Sequence, residues 1–279
     1  MATENALLKS LIDKINNDTL VLPTLPAIAM RVREAAQDPE INLKKISNVI
    51  AMDPSLSARI IKLANSALYA RNVKAETVNQ AVNRIGLQRV KSNAMALAME
   101  QLFLSSNALI KKYLDQVWER TVNVNVHTLP LYQAYQQKNR SKRFDPDVMA
   151  LALLLHNIGI LPILTEAERM GVSNIQPTFL NHAIQKLSGK IGGAITNEWE
   201  FDESVIVVAE SWRNLKVQPE NIGYIDFVRI GAVSAGYLAS KRDEIIQHSI
   251  DKGIIDSADY LEDESYLQQI EEHRLMFEN

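Results

Sequence analysis

Cysteine is absent from the 279 residues of this chain. That excludes disulfide staples, thiolate nucleophiles and every cysteine-based zinc or iron–sulfur site. Glycine and proline are sparse, at 10 and 9 residues, which excludes collagen-like and low-complexity architectures. No excess of one charge is present either. With a formal net charge of -3, nucleic acid or an anionic membrane would have to be met by a local patch. Long apolar runs are lacking. The longest, Val148 to Leu155, falls far short of the roughly 20 residues needed to cross a bilayer. The opening, Met1 to Asn17, is interrupted by Lys9, Asp13 and Lys14 and has no apolar signal-peptide centre. The sequons at Asn17 and Asn139 are then chance matches, and the expected compartment is the cytoplasm, with no membrane partner. Phosphate-cradling glycine loops, a Ser-His-Asp order and zinc-ligand spacing are all missing.

What is present is helical periodicity. At 47% hydrophobic and 23% charged, the chain can bury a sizeable core as one large domain or two lobes. Leu7, Leu8, Leu11, Ile12 and Ile15 mark one face of a first helix, and Leu25, Ile28, Ala29, Val32, Ala35 and Ala36 a second, preceded by Pro23 and Pro26. Asn42 caps a third, and Asp53–Pro54 opens a fourth with an N-cap acceptor and a first-turn proline. Thr77 and Gln80 form a capping box for a short helix ended by Gly86. A buried helix is expected over Leu87–Phe103 and a longer one over about Leu109–Gln137, with Pro130 as a kink. The β-branched run Val205–Ala209 is expected to be helical because Asp202 can cap it. Polar punctuation predicts an N-terminal helical lobe with a long connecting helix over 1–137, a helical core over 138–255 and an acidic tail over 256–279. That tail is expected to be a peripheral helix or partly disordered.

The richest stretch for chemistry is ALALLLHNIGILPIL, Ala150–Leu164. A nearly all-apolar helix delivers His156 and Asn157 into the interior, and Gly159 relaxes the backbone just after them. From the residues alone, such a pair is either a hydrogen-bonded core pair, the commoner case, or a pair of ligands.

Several blocks elsewhere carry a resemblance: Leu22–Pro26, Asp53–Pro54–Ser55–Leu56, Arg59, Leu63–Ala64–Asn65–Ser66, and Ala81 with Ile85–Gly86–Leu87. Together they resemble the HDOD domain, of the wider HD-domain phosphohydrolase superfamily, over about 22–213. The resemblance implies an all-α, multi-helical fold, with an N-terminal helical lobe followed by an HD-like helical core, in a bacterial signalling context. It also implies a site where several imidazoles and at least one carboxylate hold divalent cations that activate water against a phosphate ester. Carried over position by position, that pattern retains His156 but has Asn157 for the aspartate. The upstream histidine falls at Arg120, the next at Ser188, and the downstream histidine pair near Ser211, Trp212 and Arg213.

Only 5 histidines occur in the chain. His127 lies two turns, roughly 10 Å, beyond Arg120, too far to replace a ligand bonding at about 2 Å. His182 is out of phase with Ser188. The expectation is a degenerate metal site with no catalytic residue, no metal and no cofactor. Arg120, His156, Asn157, Ser188, Trp212 and Arg213 would line a vestigial pocket open to a ligand or anion, with Trp118, Trp199 and Trp212 as packing anchors around it. The cluster Lys138, Arg140, Lys142 and Arg143, beside Phe144, is a basic surface patch that fits a solvated loop better than a nucleic-acid contact. Met95 and Met99 read as core filling. The function expected is a non-catalytic regulatory module acting on a protein partner or a second copy of itself. The alternatives are a metal-dependent phosphohydrolase with a rearranged site and a nucleotide or nucleic-acid binder.

Overall fold

The computed structural model describes residues 2–66, 69, 73–139, 144–171 and 177–274. Every regular element among them is helical, and no strand occurs. In chain order the first helices are α1 (Ala2–Asn16), α2 (Ala27–Gln37), α3 (Leu43–Ala51), α4 (Pro54–Ala64), α5 (Val78–Ile85) and α6 (Leu87–Met99). They are followed by α7 (Ala108–Lys138), α8 (Pro146–Leu155), α9 (Ile160–Arg169), α10 (Pro177–Glu198) and α11 (Glu203–Ser211). The last are α12 (Tyr224–Ser234), α13 (Arg242–Asp251) and α14 (Glu264–Arg274).

Helix starts follow local chemistry. Asn42 accepts from Lys44 N and Lys45 N, Asp53 accepts from Leu56 N, and Thr77 and Gln80 close a capping box. Asp145 and Asp202 cap α8 and α11 in the same manner, so Val205–Ala209 is helical despite its β-branched residues. Between α5 and α6 the chain turns at Gly86, whose φ of 87° strains any residue with a Cβ. The buried helix ends earlier than its apolar run: after Met99 the backbone tightens into a 3-10 turn, Glu100–Phe103. Met95 and Met99 are buried in the core.

The chain forms two compact units. One comprises residues 25–102 with 264–279, the other residues 1–24 with 103–263. In the first, α2 packs on α3 and α6, and α5 on α3 and α4. Asn65, just past α4, fixes the return of the chain there. Its amide donates to the Ala75 carbonyl and accepts from Ala75 N, each at 2.8 Å, while Arg84 Nη1 donates to Asn65 Oδ1 at 3.0 Å. The Asn in the Leu-Ala-Asn-Ser block therefore has a structural task. Asn65→Ala leaves both backbone groups of the buried Ala75 unpaired and is expected to lower stability by about 2–4 kcal/mol, read from the urea unfolding midpoint. An unchanged midpoint would refute this account. The acidic tail also contributes to this unit: α14 is an outer helix, largely exposed, that packs by the face carrying Tyr266 and Ile270.

The second unit places the candidate site. The long helix α7 packs on α12, and α8 packs on α7, α11 and α12. The approach of α7 to α12 is close enough that a Cβ at Gly231 would meet Thr128 Oγ1 at 1.9 Å. Helices α8 and α9 together, 146–169, are long and apolar enough to cross a membrane by composition, although the run from Val148 to Leu155 is short. The most apolar 18-residue stretch of that segment is 78% buried within the chain, as a core element is. On its far side α1 packs on α9 and α10, where Lys14 Nζ and Ser10 Oγ donate to Glu166 at 2.6 and 3.0 Å.

Candidate functional site

Helix α8 ends at Leu155, and the turn 156–159 carries His156 and Asn157 inward, each 2% exposed. Helix α10 lies directly against that turn. A Cβ at Gly159 would sit 1.9 Å from the Ser188 carbonyl oxygen and 2.5 Å from Gly192 N. Gly159 itself has φ -66°, an ordinary helical value. It therefore does not relax the backbone as its position in the sequence suggests. It provides space for a neighbouring helix. Gly189 and Gly192 of α10 likewise admit the backbone of α11.

These approaches bring together Ser188, the His156–Asn157 pair and the residues just after α11. Arg213 Nη2 donates to Asn157 Oδ1 at 2.8 Å, and Arg213 Nη1 donates to Ser188 Oγ at 3.1 Å. With its oxygen committed to Arg213, Asn157 directs Nδ2 to His156 Nε2 at 2.8 Å, with a second, longer contact to Thr121 Oγ1 at 3.4 Å. The imidazole must therefore accept at Nε2 and donate from Nδ1, and Nδ1 lies 2.7 Å from the Leu153 carbonyl. Trp212 packs its indole edge-on against the imidazole, with centroids 4.8 Å apart, and supports the Arg213 guanidinium at 4.5 Å.

Arg213 is held from behind. The buried Arg229 of α12 donates to the carbonyls of Ser211, Trp212, Asn214 and Val217 at 2.8–3.1 Å, and Lys241 donates to the Arg213 carbonyl. Arg120 completes the set from α7, its Cζ lying 5.1 Å from the centre of the Tyr237 ring. The electrostatics follow from this crowding of cations. Burial above all, with the charges of Arg213 and Arg120 adding to it against the Leu153 hydrogen bond, pushes His156 down to about 3. Burial and then the charge of Arg120 bring Arg213 down to about 10.

The six residues singled out from the sequence thus lie in one neighbourhood. The other residues weighed from the sequence stand elsewhere. Of the tryptophans only Trp212 touches the imidazole: Trp118 packs on Phe103, while Trp199 packs on Phe201 and donates to the Pro23 carbonyl. His127 sits away from the pair, its Nδ1 2.9 Å from Ser234 Oγ. In the basic cluster, Lys138 is paired with Asp256 at 2.7 Å, and Arg140, Lys142 and Arg143 lie outside the described residues. Phe144 is engaged by Tyr135, Tyr224 and Phe227 and is not free to stack on a base. Thr121, Arg229, Tyr237 and Lys241 were not expected. Their roles come from contacts between helices distant in sequence, which no local pattern signals.

A divalent centre needs several imidazoles and an anionic oxygen. Among the described residues no three His, Cys, Asp or Glu side chains gather in a way that could hold a metal ion. The lone pair of the retained imidazole is occupied by the Asn157 amide, whose oxygen is in turn held by the Arg213 guanidinium. The residues present do not fit a metal.

Similarity to known proteins bears on the fold and the family. A crystal structure from Shewanella amazonensis SB2B, assigned in name only to the metal-dependent phosphohydrolases, is 38% identical, with a TM-score of 0.86 over 100% of both chains. A structure from Marinobacter aquaeolei VT8 named as a signal transduction protein is 20% identical, with a TM-score of 0.66 over 99% of this chain and 64% of that one; it speaks to the fold alone. A curated Treponema pallidum (strain Nichols) protein is 26% identical over 224 residues, 76% of this chain, and the match spans only 40% of that protein's length. The HDOD domain description matches residues 22–214, well over half the sequence and including every residue of the circuit around His156, so the chain belongs to the HDOD domain family.

Proposed function

We propose that this chain is a non-catalytic regulatory module that works by contact with a protein partner. The observation that carries the reading is the closed hydrogen-bond circuit running from Leu153 through His156, Asn157 and Arg213 to Ser188. Every polar group that a metal centre would recruit here is committed to a neighbour, and the fixed charge is positive. Outer contacts alone tune metal affinity by about 10–100-fold, and here the anionic donor itself is gone. A shared fold does not bring shared chemistry, so signalling is left to surfaces.

Elemental analysis of protein purified without chelator tests the metal half, and a Mn²⁺-supplemented phosphate-ester assay tests the chemistry. The expected results are metal far below one ion per chain and hydrolysis at the buffer rate. Stoichiometric Mn, Fe or Ni with turnover would establish instead the rearranged phosphohydrolase that the name of the Shewanella relative suggests. Crosslinking with affinity capture tests the contact half. Recovery of no specific partner, together with a purely monomeric chain, counts against it.

A further inference from the structure

The charges around His156 are not balanced. Arg213 is buried and the charge of Arg120 acts on it as well, both lowering its affinity for its proton, and no carboxylate pairs with either among the described residues. Arg213 is at least satisfied by Asn157 and Ser188. Arg120 is not. Its Nε is shielded from water and has no hydrogen-bond partner among the described residues, while its guanidinium stands over the Tyr237 ring.

A buried donor without an acceptor is costly, and two like charges in a low-dielectric setting repel. Lys241 adds a third cation nearby, its ammonium on the Arg213 carbonyl. His156 cannot offset them, because it is neutral and its lone pair is taken. An anion with several acceptor oxygens would satisfy both groups, since planar guanidinium groups match phosphoryl oxygens in both charge and geometry.

We propose that Arg120 and Arg213 bind a terminal phosphoryl group without any metal, at the position where the fold's metal centre has been lost. This goes beyond the partner-contact reading and depends only on the site being free of metal. Inorganic phosphate and a phosphomonoester present the same chemistry, and the test distinguishes them.

Chelator-treated full-length chain is titrated calorimetrically at constant ionic strength with inorganic phosphate, with a nucleoside monophosphate and with sodium chloride. Phosphate is expected to bind with a Kd on the order of 0.1–1 mM, a modest affinity for one charge-assisted site, and chloride to give no saturable signal. Binding of both phosphorylated probes points to a phosphomonoester; binding of inorganic phosphate alone points to the free ion. Arg213→Gln removes bonds to Asn157 and Ser188 and can disturb the fold, so Arg120→Gln is the decisive variant, since Arg120 makes no hydrogen bond among the described residues. It is expected to weaken phosphate binding at least 10-fold, because a charge-assisted contact is lost, and to raise the melting temperature in phosphate-free buffer by relieving repulsion. Wild-type protein that responds to phosphate no more than to chloride, or an Arg120→Gln variant that retains wild-type affinity, overturns the proposal. Either result would leave a low metal content, and with it the non-catalytic reading, intact.

Discussion

Replacing Gly159 with alanine is expected to destabilise the chain by about 4 kcal/mol or more, well above the usual cost of an added methyl group. The reason is purely spatial. With φ -66° and ψ -4°, Gly159 has a backbone that alanine adopts freely. Its Cβ, however, would lie 1.9 Å from the Ser188 carbonyl oxygen, 2.5 Å from Gly192 N and 2.9 Å from Gly192 Cα, all backbone atoms of α10. No side-chain rotation relieves such a contact; α10 itself must withdraw. It has little room to do so, because it is also packed closely on α11, where a Cβ added at Gly189 or Gly192 would lie 2.3 or 2.8 Å from the carbonyls of Glu210 and Ala209. Any retreat also separates Ser188 from Arg213 and opens the circuit. Chemical denaturation of Gly159→Ala beside Gly223→Ala provides the check. At Gly223 the nearest atom to an added Cβ is 3.8 Å away, and the loss there is expected to stay within about 1 kcal/mol. Equal, small losses at both positions would mean that α10 is not confined as described.

This same contact shows where sequence reading succeeds and where it stops. Caps are local: Asn42, Asp53, Thr77 with Gln80, Asp145 and Asp202 accept from backbone N–H groups two or three residues ahead, so helix starts were legible from a few residues each. The inward pair was legible as well, because the apolar run of α8 leaves His156 and Asn157 no solvent-facing side. Partners at long range were not. Arg213 stands 56 residues from Asn157 and 25 from Ser188, and nothing in either local pattern indicates that a guanidinium closes on the amide. Arg229 is as hidden, reading as one charge in a helix when it binds four backbone carbonyls. The tail was legible in part: its acidic residues mark an outer helix, and Tyr266 and Ile270, one turn apart, form the face by which α14 packs. Gly159 misled because a close helix approach and a flexible turn look alike in one dimension.

Stability is expected to fall by about 2–3 kcal/mol between pH 6.5 and pH 4.5 through His156 alone. Folded, the imidazole is held down to about 3, first by burial and then by Arg213 and Arg120. Unfolded, it titrates near its ordinary 6.5. Between those values the unfolded chain binds a proton that the folded chain refuses, so acidification favours unfolding. The contribution is complete above pH 6.5 and drains away as pH drops toward 3. Geometry requires the same sign, since a proton on Nε2 would face the Asn157 amide donor at 2.8 Å. That amide cannot flip to accept it without turning its NH₂ toward Arg213 Nη2. His273, also lowered chiefly by burial, adds to the trend. In Glu166, hydrogen bonds from Lys14 and Ser10 with the charges of Lys14 and Arg169 outweigh the larger single effect of burial, so its contribution is lost only at more acidic pH. Urea midpoints of wild type and His156→Gln across this range separate these terms. The variant starts less stable at pH 7.5 because it loses the imidazole's packing on Trp212, and the gap narrows by those 2–3 kcal/mol on reaching pH 4.5. Parallel profiles would place the titration elsewhere and release His156 from the neutral, single-tautomer state on which the closed circuit depends.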